Sequence, residues 1–189
     1  MSSPNNRQPQ IIIVTGPPGS GKTTLARRVA RALPCPLLSR DEVREGLLAR
    51  RDPTAPMPDD QVAGRTNDAF FEAARLFISR GITLVIEAAF QHKLWSPGLQ
   101  PLKAHADMCV IRCRLEPTLA RDRMAKRARA EAWRSSLHPD ADYLKRSEGD
   151  PEGWPVFDEL RLEAPTLAVE TSTPDYQPEF ATIMGFVRQ

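Results

Sequence analysis

A chain of 189 residues with 41% apolar side chains can bury one sheet covered on both faces and is too apolar to be a disordered polymer. No apolar run approaches the ~18 residues needed to span a bilayer, and Met1–Gln10 lacks the apolar core of a secretory signal. A net charge of only +2 argues against a domain-wide grip on nucleic acid, and three cysteines without metal-ligand spacing, Cys35, Cys109 and Cys113, suit a reducing cytoplasm.

The polar stretch 1–9 reads as a flexible arm. Ile11–Thr15 follows as a β-branched strand that runs into Gly16-Pro17-Pro18-Gly19-Ser20-Gly21-Lys22-Thr23-Thr24. Leu25, Ala26, Val29, Ala30 and Leu33 then repeat with helical spacing. A glycine-rich turn of the form G-x-x-x-x-G-K-T between a strand and a helix is a phosphate cradle. Its glycines let successive N–H groups point at one anion, and the helix adds its own unpaired N–H groups and dipole. Lys22 supplies a charge for the β- and γ-phosphates of a nucleotide triphosphate, and the Thr23 hydroxyl is a ligand for Mg²⁺.

Pro34 and Pro36 end the first helix, and Leu37-Leu38 forms a short strand delivering Ser39-Arg40-Asp41 to the ligand edge of the sheet. Asp41–Arg50 reads as helix, Asp52–Asp60 as loop, and Gln61–Arg80 as a long helix stopped by Gly81. Ile82–Ile86 is a strand buried on both faces that ends at Glu87. The helical stretch after Ala88 is expected to break at Pro97-Gly98 and Pro101, ahead of a strand over Met108–Leu115. Pro117 opens a helix rich in arginine, within a lid region of about 117–150. Residues 138–155 read as loop, Val156–Leu162 as a short helix, Thr166–Val169 as the last strand and Pro178–Val187 as a closing helix. The alternation predicts a single α/β domain over 1–189. Its fold class is a doubly wound, three-layer parallel sheet of about five strands, the P-loop NTPase fold, with an arginine-bearing helical lid.

Three further parts bear on what happens to the γ-phosphate. Asp41 and Arg44 lie one helical turn apart; the carboxylate can accept or orient an incoming hydroxyl, and the guanidinium can hold an acidic group of the acceptor. Glu87 stands at a strand end, suited to water-mediated support of Mg²⁺ or to acceptor binding. Arg121, Arg123, Arg127 and Arg129 cannot all face one way; Arg123 and Arg127 share a face, and guanidiniums there can clamp phosphate and close a lid. His92, His105 and His138 fit no triad or metal pattern.

With these residues the chain resembles the small P-loop kinases grouped with polynucleotide 5′-hydroxyl kinase, chloramphenicol 3-O-phosphotransferase and zeta-toxin-like kinases. The cradle, Ser39-Arg40-Asp41-x-x-Arg44, the strand Gly81–Glu87, the arginine helix after Leu115-Glu116-Pro117 and the C-terminal Val169-Glu170-Thr171-Ser172 carry the resemblance. It implies Asp41 as catalytic carboxylate, Arg44 as ligand of an acceptor phosphate, Arg123 and Arg127 as lid arginines, and the segment near Thr171 as a flank of the adenine. Many relatives read D-A-T-N where this chain reads Glu87-Ala88-Ala89-Phe90. The expectation is an ATP- and Mg²⁺-dependent kinase acting on a hydroxyl acceptor, a small molecule or nucleotide-type substrate. A polynucleotide 5′ end, or a nucleotide switch or ATPase with no acceptor, are the alternatives.

Overall fold

Ile11, Ile12, Ile13 and Val14 are wholly shut from solvent, and their side chains alternate between two cores. They belong to strand β1 (Gln10–Thr15), which runs parallel between β3 (Leu84–Glu87) and β4 (Asp107–Arg114), with Ile11 opposite both Leu84 and Met108. β2 (Leu37–Ser39) borders β3 and β5 (Thr166–Glu170) borders β4, so the parallel sheet has the order β2-β3-β1-β4-β5. In this computed structural model the described residues are 8–49, 57–131, 137, 138, 144 and 157–189.

Parallel neighbours need crossovers, and these place helices on both faces. Ile11, Ile13, Leu84, Ile86 and Val110 pack on α3 (Asp59–Ser79) and α4 (His92–Leu99) through Phe70, Phe71, Trp95 and Leu99. Phe90 joins them, its ring centroid 4.8 Å from that of Trp95 at an edge-on angle. On the other face Ile12, Val14, Val85 and Ile111 meet α1 (Lys22–Ala32) and α6 (Phe180–Val187). α2 (Arg40–Leu48) follows β2 without a loop, and α5 (Pro117–Ala130) begins at the anticipated proline. Among the described residues no helix is long and apolar enough to cross a membrane.

Two expectations are overturned. Pro97-Gly98 does not break α4, which continues to Leu99 and into a 3₁₀ turn, Gln100–Ala104. Gly98 lies against Phe71, where a Cβ would stand 2.3 Å from the ring, and burial of Trp95 and Leu99 outweighs the one backbone bond that Pro97 removes. Within Val156–Leu162, the described residues 157–162 form no helix. Leu160 and Leu162 enter the core while Arg161 between them is exposed, a period of two, and Glu159 bridges antiparallel to Gln91. Of the expected loop over 52–60, residues 52–56 lie outside the described residues, 57 and 58 form no helix, and Asp59 and Asp60 already belong to α3; much of the lid region past Glu131 also lies outside them.

Candidate active site

The turn Gly16–Gly21 leaves β1 and α1 starts at Lys22 with no side-chain cap and no acid in its first turn. Its first N–H groups are therefore unpaired within the helix and carry the positive end of the dipole. They face a cavity of about 180 Å³ lined by Gly19, Gly21, Lys22, Thr23, Thr24, Arg123 and Arg127. Lys22 Nζ lies 3.5 Å from the Pro17 carbonyl, a weak contact that an anion would outcompete. Ser20 Oγ is buried with no hydrogen-bond partner among the described residues. A lining of donors and cations, with an orphaned hydroxyl beside it, fits a polyphosphate.

α5 crosses this turn at its tightest point. Gly19 has φ +78°, and a Cβ there would sit 2.4 Å from the Ala120 carbonyl oxygen. Ala120 and Met124 are buried, which turns Arg123 and Arg127 toward the cavity. Arg123 Nη2 also donates to the carbonyls of Thr171 at 2.9 Å and Ser172 at 3.0 Å, so it ties α5 to the segment after β5. Thr171 itself is buried; its hydroxyl faces the Ser20 carbonyl at 2.6 Å and the Arg114 carbonyl at 3.0 Å. The Thr171 side chain thus holds the outside of the cradle.

Glu87 is buried at the end of β3 and accepts a hydrogen bond from Ser39 Oγ at 2.9 Å. Ser39 precedes α2, yet its hydroxyl goes to Glu87 and does not cap the helix. Burial pushes the Glu87 carboxyl above its ordinary range; the positive charge of Lys22 and the hydroxyls of Ser39 and Thr23 oppose that rise, and the Asp41 charge adds to it. The acid thus stands beside the metal-ligand candidate Thr23 and within the field of both Lys22 and Asp41. Phe90 is fully buried, and its N–H donates to Thr15 Oγ1 at 3.1 Å.

On α2, Arg44 is buried; its Nε donates to the Leu137 carbonyl at 2.7 Å and its Nη2 lies 3.3 Å from Asp59. His138, given no role by the sequence, is also buried, with Nε2 at 2.8 Å from Glu45 and Nδ1 at 4.0 Å from Asp41. Arg40 of the same motif donates to Asn67 at 3.2 Å, and its guanidinium stands 5.6 Å from the Trp95 ring. No periodicity could have found the His138 contact, which joins residues 93 positions apart.

A family profile described as AAA domain matches residues 11–142. Among solved structures, the chain is similar to a protein from Chloroflexus aurantiacus J-10-fl whose assignment as a kinase is itself provisional. The two are 27% identical with a TM-score of 0.74, over 97% of this chain and 98% of that one. A gluconokinase from Sinorhizobium meliloti 1021 is 18% identical with a TM-score of 0.56, over 96% and 91% of the two chains. The Mycobacterium tuberculosis APS kinase CysC, solved with AMPPNP and APS, is 18% identical with a TM-score of 0.59, over 97% and 99%. The last two speak for the fold alone. No curated protein matches the sequence.

Proposed function

The chain belongs to the AAA domain family, with a kinase-like P-loop domain, and on that premise we propose that it is an ATP-dependent phosphotransferase that moves the γ-phosphate to a hydroxyl of a small molecule. The observation that carries this reading is geometric. Glu87 stands opposite Val14 of β1 and Ser39 of β2 in the sheet and accepts from Ser39 Oγ at 2.9 Å, so the cradle that leaves β1 and Asp41 in the first turn of α2 emerge on either side of it. We take residues 1–189 as one domain, and within its family we place it with the small hydroxyl kinases through Ser39-Arg40-Asp41-x-x-Arg44.

Backbone N–H groups between Gly19 and Thr24 bind the polyphosphate and Lys22 neutralises its β- and γ-oxygens. Arg123 and Arg127 face the charge that spreads over the transferring group. Thr23, with Glu87 acting through water, would hold Mg²⁺, which keeps several waters and relies on phosphate oxygens for other ligands. When bound, that ion supplies charge neutralisation across the β- and γ-phosphates. Asp41 orients the incoming hydroxyl and takes its proton as the acceptor oxygen–phosphorus bond forms and the bond to ADP breaks. In this scheme Arg44 serves an acidic group on the acceptor.

The test is transfer from γ-labelled ATP into pools of small alcohols, sugars and 5′-hydroxyl oligonucleotides. Label is expected in a small molecule with wild type. Lys22→Ala is expected to lose nucleotide binding, and Asp41→Asn to keep ATP affinity while transfer falls by roughly two orders of magnitude or more. Undiminished transfer by Asp41→Asn overturns the assignment. Label in the oligonucleotide selects the polynucleotide alternative, and phosphate release with no labelled acceptor selects an ATPase or switch.

A further inference from the structure

The strongest feature that this reading leaves unused is the contact of Leu137 and His138 with helix α2. Asp41, Arg44 and Glu45 are three and four residues apart and so share one face of that helix. Two adjacent residues from beyond α5 meet all three. The Leu137 carbonyl accepts from Arg44 Nε at 2.7 Å, short enough for a charge-assisted bond. The His138 ring lies between the two carboxylates, 2.8 Å from Glu45 and 4.0 Å from Asp41, with its side chain 4% exposed. Carboxylates only accept, so Nε2 donates to Glu45. That bond fixes the plane of the ring and turns its other nitrogen toward Asp41.

We propose that His138 and Arg44 form a clasp that seats the Leu137–His138 segment on α2 and fixes Asp41 for the incoming hydroxyl. His138 is a positioning residue: it acts through Asp41 and does not touch the reacting atoms. Arg44, on the same helix face, opposes the like-charge repulsion of Asp41 and Glu45 on neighbouring turns, and the His138 ring packs between the two side chains. The clasp also walls off one side of the acid, whose own side chain keeps 39% of its surface exposed for an acceptor to reach. Arg44, 11% exposed and bonded to a backbone carbonyl, belongs to this wall. Arg44 so engaged does not serve an anionic group of the acceptor, and a neutral alcohol fits the site as well as an anionic one. This inference rests on the role proposed for Asp41 and replaces the acceptor-ligand role proposed for Arg44.

Nuclear magnetic resonance of ring-¹⁵N histidine in the full chain tests the clasp without reference to turnover. His138→Gln identifies the His138 signals. The clasp predicts an Nε2–H donor whose resonance moves in Glu45→Gln while those of His92 and His105 do not; a His138 ring insensitive to Glu45→Gln overturns it. Kinetics with Mg·ATP then compare water, glycerol and D-gluconate as acceptors. For His138→Ala, ATP affinity is expected to stay unchanged while the ratio of transfer to hydrolysis falls roughly ten- to hundredfold. His138→Gln, whose amide donates to Glu45 from a similar place, is expected to restore most of that ratio. An unchanged ratio in His138→Ala, or a parallel loss of ATP affinity, overturns the positioning role. Arg44→Lys is expected to lower kcat for glycerol and gluconate alike; a rise in KM confined to gluconate makes Arg44 an anion ligand and overturns its place in the clasp. If wild type phosphorylates no alcohol while the Glu45-dependent signal persists, the clasp is supported and the phosphotransferase reading fails.

Discussion

Single residues show where local rules yield to the site. Burial holds the Glu87 carboxyl above its ordinary value of 4.5. A raised acid binds its proton more tightly when folded, so its favourable contribution is present below the ordinary value and is lost as pH climbs through the folded one. Glu87→Gln is therefore expected to melt higher than wild type near neutral pH without Mg²⁺, with the gap closing toward acid; a pH series of thermal melts checks it. Gly19 is bound by both conformation and space. A left-handed φ costs other residues ~1–2 kcal/mol, and the Ala120 carbonyl leaves no room for a Cβ. Gly19→Ala is expected to lose at least that much stability in denaturant titration and to abolish binding of a fluorescent nucleotide.

Elements show how side chains bind separate segments into one site. α5 is held over the cradle by Ala120 and Met124 inside and by Arg123 outside, and Arg123 reaches two carbonyls after β5. Hydrogen bonds from charged donors contribute ~1.5–3 kcal/mol, less where solvent screens them as at this half-buried side chain. Arg123→Met is expected to destabilise by about 1 kcal/mol and to weaken nucleotide binding about tenfold, read by calorimetry. The arginine pair on one face of α5 was legible from the sequence, because positions four apart share a face. That Arg123 also anchors the segment at Thr171 was not, since the partners are 48 positions away. α4 makes the same point: Pro97-Gly98 signals a break, and the Phe71 ring pressed on Gly98 decides otherwise.

At the scale of the molecule, the sheet sets what is reachable. Cys109 and Cys113 lie within β4 under α1 and α6, and burial pushes each thiol up to about 12. Neither is expected to react with a thiol reagent in the native state, whereas half-buried Cys35 is expected to label slowly; mass spectrometry before and after unfolding checks it. The parallel order β2-β3-β1-β4-β5 brings the carboxyl ends of β1, β2 and β3 to one edge, so cradle, Asp41 and Glu87 meet there. The sequence determined this much by itself: strand and helix periods, the glycine turn and the strand-end acids are local patterns, and local patterns follow from backbone sterics and the need to bury apolar faces. Only the tertiary structure decided that Phe90 fills the core, that Leu160 and Leu162 enter it from an extended segment, and that His138 and Leu137 close on α2. Those outcomes depend on contacts between residues far apart in the chain, whose energies are set by how the packed elements happen to meet and leave no repeat for a sequence to display.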